Sequence, residues 1–395
     1  MHALPYWRLS GYYFFYFAFI GAFSPYFGLY LQSLSFSAWD IGLLMSQMQL
    51  MRLFGPNLWG WVADRFGHRV AIIRLAGFAA LAGFIAFFWL DRLPGMLAAM
   101  AVLALFWSGA LPLVETLTFD HLREEHGRYS RIRLWGSIGF IVAVMGTGAL
   151  LDLVPPLGVL WVCCAILAGI LACALILPEA QPQAHPREAL PVAAILRQPR
   201  VAALMAACFA MSAAHGAFYV FYSIHLTDHG YAKTGVGLLW SLGVVAEIGV
   251  FMLMARLSVR YSLRAILLAS FAAAVLRFLL MGWGADSPGL MVVAQLLHGL
   301  TFGAYHASAI AAVNQWFPGR AQARGQALYS SLSFGAGGLL GALIAGRTWD
   351  TWGAGWTFSL ASVFAALGFA LIWRWVGADA AVDGPGTAKN ADPVQ

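Results

Sequence analysis

Twelve apolar segments recur along the chain, at 9–31, 39–62, 70–90, 94–117, 134–152, 157–177, 201–226, 235–257, 265–284, 289–314, 325–346 and 355–376. Each approaches the roughly 20 residues that a helix needs to cross a hydrocarbon core of roughly 30 Å. With 61% hydrophobic and 10% charged residues, the chain has too little polar surface for a water-soluble globule. Mean hydropathy is +0.75. Alternating polar and apolar strands are absent, which argues against a β-barrel. The first segment exceeds a signal-peptide core, lacks a small-residue cleavage site and contains Ser24-Pro25, so it is expected to stay as a membrane helix. The expected fold class is an all-α membrane protein of twelve transmembrane helices.

Charge placement orients the helices. Of 23 Lys and Arg residues, 18 fall on one set of alternating loops and tails, and only Arg92, Lys233 and Arg347 lie on the opposite side. That bias puts both termini in the cytoplasm of a multi-pass inner-membrane protein. The sequence pI of about 9.3 therefore reports topology, and no concentrated basic surface exists for nucleic acid. Cys163, Cys164, Cys173 and Cys208 lie in apolar segments without metal-ligand spacing and read as inert small hydrophobes. Neither a metal nor a cofactor is expected.

One long polar interruption, Pro178 to Arg200 with its five prolines, divides the chain. The expected organisation is a six-helix half over 1–178, a linker over 179–200, a second six-helix half over 201–376 and a flexible tail over 377–395. Each half has a short basic turn between its second and third helices, ADRFGHRVAI at 63–72 and SVRYSLRAIL at 258–267. Overlaid, Arg65 falls on Arg260, Phe66 on Tyr261 and Arg69 on Arg264, while Asp64 falls on Val259. Paired six-helix halves with a site between them describe transporters that work by alternating access.

The stretch GWVADRFGHR, Gly60 to Arg69, resembles the loop signature of the major facilitator superfamily, with Val62 in place of Leu and His68 in place of the first basic residue. The resemblance implies a conformational latch of Gly60, Asp64, Arg65, Gly67 and Arg69. PLVETLTFDHLREEHGRYSRIRLWGSIGF, Pro112 to Phe140, is similar to the lactose permease branch and, in its RIRLWGSIGF portion, closer to the phenylpropionate permease-like and nucleoside proton symporter families. Glu115 and Arg133 thereby inherit a substrate-binding role, the alternative being an interfacial ion pair between adjacent helices. In the second half the resemblance places Glu247, Arg277 and His298 at proton-coupling positions. Thr301 stands where the lactose permease has a carboxylate, Gln295 replaces a Lys, and His215 and Tyr219 replace polar or acidic substrate-binding residues.

Arg52 lies about twelve residues, or roughly 18 Å, from the cytoplasmic end of its helix, too deep for easy snorkelling. Glu247 and Arg277 are similarly deep on consecutive helices running in opposite directions and can meet near the midplane. The repeat overlays Arg52 on Glu247. Arg52, Arg133 and Arg277 against Glu115 and Glu247 leave one excess positive charge, and a guanidinium fork suits a carboxylate. The bland alternative pairs Arg52 locally for packing. Tyr12, Tyr16 and Phe19 share a helical face that could line the cavity, whereas Tyr6, Trp7 and Tyr12 also suit interfacial anchoring. Gly337 and Gly341 give a close-packing spacing.

These features predict a monomeric, proton-coupled symporter of a small organic acid, aromatic or otherwise, whose partners are substrate, protons and the lipid bilayer. Sugar or nucleoside symport is the alternative. Efflux is less favoured, since the fifth segment lacks a Gly-Pro element. No enzyme motif or P-loop is present.

Overall fold

The computed structural model describes residues 4–123, 126–180 and 192–377. The middle of the expected linker, 181–191, and nearly all of the expected tail, 378–395, lie outside the described residues. Among these described residues twelve long helices follow one another: α1 Tyr6–Ser33, α2 Ala38–Phe66, α3 Arg69–Phe88, α4 Leu93–Leu122, α5 Tyr129–Leu151, α6 Gly158–Ile176, α7 Pro199–Asp228, α8 Lys233–Arg260, α9 Leu263–Trp283, α10 Pro288–Trp316, α11 Gln322–Trp352 and α12 Ala354–Trp375. Eleven are long and apolar enough to cross a membrane. The remaining one, α2, has 29 residues, and its hydropathy is diluted by Asp40, Arg52, Asp64 and Arg65. No strand occurs among the described residues.

Local chemistry sets the helix ends. At the start of α2 the Ser37 hydroxyl accepts the Asp40 N–H at 3.2 Å, and the Asp40 carboxylate accepts the Ser37 N–H at 3.3 Å, a reciprocal capping box. The same helix stops at Gly67, whose φ of 71° is in the left-handed region. Two helices carry wide π turns, Gly299–Ala304 within α10 and Ser331–Gly337 within α11.

Packing sorts the helices into two groups. In the first, α1 packs on α5 and α6, α2 on α4, and α3 on α4 and α6; in the second, α12 packs on α7 and α9, α11 on α7, and α8 on α10. The groups join where α2 meets α11, α5 meets α8 and α1 meets α7. Lipid gives helices no hydrophobic incentive to associate, so close backbone approach must supply the attraction. A methyl on Gly42 would lie 2.9 Å from the Gly346 Cα, and one on Gly237 would lie 2.8 Å from the Val144 carbonyl oxygen. Both crossings lie on the far side, away from the chain termini. No comparable packing joins α4 to α10 among the described residues.

Gly341 is pressed against the Ala213 backbone where α11 crosses α7, and Gly337 against the Phe209 carbonyl, as their spacing led us to expect. Gly341→Val should cost about 1–3 kcal/mol through overpacking. A thermal-shift assay in detergent is expected to show a melting temperature several degrees lower, with the fold of α1–α6 unaffected.

Candidate functional site

The second helix group holds a guanidinium with no water contact. Arg277 on α9 is 0% exposed. Its Nε donates to the Ala294 carbonyl at 3.1 Å, and its Nη1 donates to the Thr301 hydroxyl at 3.2 Å and lies 3.1 Å from His215 Nε2. The charge also sits 4.4 Å over the Phe218 ring. His215 Nδ1 is 2.8 Å from the Met211 carbonyl oxygen, an acceptor only, so Nδ1 carries the proton and Nε2 is left to accept from Arg277. The His215 ring is thus occupied in holding Arg277.

Glu247 and Arg277, whose similar depth would let them meet, are not paired. Glu247 instead lies 3.8 Å from His298 Nε2, and no ion pair joins it to Arg277. Equal depth fixes the height of two side chains but not the direction in which each points, and Arg277 points to α7 and α10. Thr301, where the resemblance finds a carboxylate missing, is one of its acceptors. From His298 a stack of rings runs along α10: Phe302 at 5.5 Å, then His306 at a further 5.9 Å, whose Nδ1 is 2.8 Å from the Tyr329 hydroxyl.

In the first group, Arg133 lays its guanidinium 3.8 Å over the Phe17 ring, and Glu115 accepts a hydrogen bond from the Tyr129 hydroxyl at 3.2 Å. No ion pair joins Glu115 to Arg133 among the described residues, which removes the simple interfacial pair considered from sequence. Arg133 instead lies within electrostatic range of both Glu115 and Glu247. Tyr219 is in range of Arg52, Arg277 and Glu247, and Tyr16 is in range of Arg52, Glu115 and Arg133. Arg52 itself is half-buried and makes no hydrogen bond or ion pair with the described residues. These charges from α2, α4, α5 and α8 share one neighbourhood between the two helix groups.

The aromatic face of α1 is more enclosed than its sequence suggested. Tyr16 is covered by Trp107, with ring centroids 4.0 Å apart and planes 8° from parallel, and Trp107 also contacts Phe19. Tyr12 is fully buried, which excludes interfacial anchoring for it, whereas Trp7 is 71% exposed and suits that role.

The loop cluster divides by residue. Asp64 and Arg65 are exposed, Gly60 faces open space and Gly67 makes the left-handed turn. Arg69 forms an ion pair with Asp120 at the end of α4. That contact is internal to the first helix group. Its second-half counterpart, Arg264, has a different partner, donating to the Trp373 carbonyl at 2.7 Å. Asp120, Tyr129, Trp107 and Phe17 were not singled out from sequence, although Asp120 and Tyr129 lie within the 112–140 stretch. The four cysteines are free, and no cluster suited to a metal occurs among the described residues.

Two groups of membrane-spanning helices with charges gathered between them define a secondary transporter of the major facilitator kind, and not an enzyme. The chain belongs to the MFS_1 like family, which it matches over residues 6–360. It is 30% identical over 364 residues to the probable 3-phenylpropionic acid transporter of Escherichia coli (strain K12), covering 90% of this chain and 95% of that protein. It is 27% identical over 363 residues to the maltose permease of Geobacillus stearothermophilus, covering 90% and 91% respectively. The crystal structure of the nucleoside transporter NupG superposes with a TM-score of 0.81 at 19% identity, covering 94% of this chain and 99% of that one.

Asp120 is only 5% exposed, so removing its partner strands a buried carboxylate. Arg69→Gln should cost about 3–5 kcal/mol. Adding Asp120→Asn is expected to recover much of that loss, and a double-mutant cycle on thermal stability measures the recovery.

Proposed function

We propose that this transporter imports a small aromatic or other carboxylic acid together with a proton, as a monomer in the inner membrane with both termini in the cytoplasm. The observation that carries the reading is Arg52, a deep cation without an acidic partner among the described residues and within electrostatic range of Tyr16 and Tyr219. A carboxylate would satisfy its planar fork. Arg133, held over Phe17, adds positive charge, and Tyr219 offers a ring for stacking. His215 contributes through Arg277. The name of the Escherichia coli relative, an aromatic carboxylate transporter, supports the same substrate class.

Glu247 is the proposed proton carrier. It touches His298 and feels Arg133, so its charge state changes the field that the substrate meets. Substrate anion and proton then enter together and leave the cavity with unchanged net charge. Asp64, Arg65 and Arg69, with Gly60 and Gly67 shaping their turn, are proposed to bias the two conformations as a latch. Sugar or nucleoside transport is the second reading. It is favoured by the Glu115–Tyr129 pair, which offers neutral hydroxyls an acceptor, and by the maltose permease among the relatives.

Binding to the purified protein separates the two readings. Arg52→Gln should weaken 3-phenylpropionate by roughly tenfold or more while sparing its amide, since a hydrogen bond to a charged group is worth about 1.5–3 kcal/mol. Arg52→Lys is expected to fall between. Equal losses for acid and amide would instead favour the neutral substrates. For coupling, Glu247→Gln should retain substrate counterflow yet fail to accumulate substrate against a gradient under an imposed pH difference. Accumulation at the wild-type level would place the carrier elsewhere, with Glu115 next.

A further inference from the structure

Two carboxylates outside the central site cap helices of the opposite group. Asp152, just beyond the end of α5, accepts the Lys233 N–H at 2.7 Å, the Thr234 N–H at 2.9 Å and the Thr234 hydroxyl at 2.7 Å. Those are the first two residues of α8. Asp350, in the last turn of α11, accepts the Ala38 N–H at 2.9 Å, the first residue of α2. In each case the fifth helix of one group caps the second helix of the other. The repeat that relates the two basic loops therefore extends to the far side of the molecule.

The two caps are unequal. α2 has its own Ser37 capping box, so Asp350 only supplements it. α8 has Ala232 at its N-cap, which offers no side-chain acceptor, and its leading N–H groups depend on Asp152. A carboxylate there also meets the positive end of the helix dipole. Slight burial works to raise the Asp152 pKa, but the hydrogen bonds from Thr234 and Lys233 outweigh it and hold the group below the usual carboxylate value, so it is an anion at neutral pH. The Tyr26 hydroxyl supports the same seam, 2.8 Å from the Val144 carbonyl oxygen on α5 and 3.2 Å from that of Lys233 on α8.

Alternating access requires this side to open, by rocking one helix group against the other. As α5 parts from α8, the cap stays with α5 and α8 loses it. We infer that Asp152 is the principal clasp of the far side, a positioning residue that sets the population of the state open there, with Asp350 a minor counterpart. The inference rests on the transporter class alone and not on the substrate.

Hydrogen–deuterium exchange of the full chain in lipid nanodiscs tests it. Asp152→Ala should raise exchange about tenfold at the first turn of α8 and also at the α2–α11 crossing, residues 38–42 and 346–350, which Asp152 does not touch. Asp350→Ala should raise both by less than about threefold, and Asp152→Glu should restore most of the protection. Exchange that rises only at Lys233 and Thr234 would make Asp152 a local cap and overturn the clasp. So would equal effects of the two alanine variants. A rise shared by α6, remote from the seam, would mark a folding role and reject the inference as well.

Discussion

The contact between bare backbones at two helix crossings is the constraint on which the remaining geometry depends. Gly42 against Gly346 and Gly148 against the Lys233 carbonyl bring α2 onto α11 and α5 onto α8 at distances that any side chain would forbid. Helices in lipid hold together through such approach and through polar contacts, because the solvent is as apolar as the side chains. Both crossings are on one side. The two helix groups are therefore pinned at one end, and the charged residues of α2, α4, α5 and α8 face one another beyond the pins.

Within that space the charges are held unequally. Arg277 is held by neutral acceptors at Nε and Nη1 and by aromatic faces, while its Nη2 has no hydrogen-bond partner among the described residues, an arrangement that keeps a cation in place without neutralising it. Arg52 and Arg133 have looser surroundings, one with no polar partner among the described residues and one resting on a ring. A fixed cation contributes a constant field, whereas cations without carboxylate partners remain available to a mobile anion. This division of labour between α9 and the pair on α2 and α5 parallels burial, since Arg277 is fully buried and Arg52 and Arg133 are half-buried.

The helix pattern was legible because it rests on length and hydropathy, which are local. Even α2 was found as the apolar run 39–62, although its charges dilute its hydropathy and the helix continues to Phe66. Direction of side chains was not legible. Depth counting placed Glu247 and Arg277 at one level and could not say that Arg277 turns toward His215, 62 residues away in the chain. The cap from Asp350 to Ala38 spans 312 residues and carries no sequence signature, because each residue alone looks like an ordinary helix end. Asp120 was passed over for a different reason: it lies just past the expected end of the fourth segment at 117, and only packing shows that it is buried.

The π turn in α10 has a mechanical consequence. In a regular α-helix, residues four apart overshoot one turn of 3.6 residues, so a row of rings at that spacing drifts around the axis. The wider turn over Gly299–Ala304 takes up the surplus, and His298, Phe302 and His306 stay in line, with successive ring planes each 16° from parallel. Tightening that turn to α geometry would advance the rest of the helix by one residue, about 100° of rotation and 1.5 Å of travel. The row of rings is thus a record of winding: it is intact while the helix holds its slack and is sheared apart when the slack is spent.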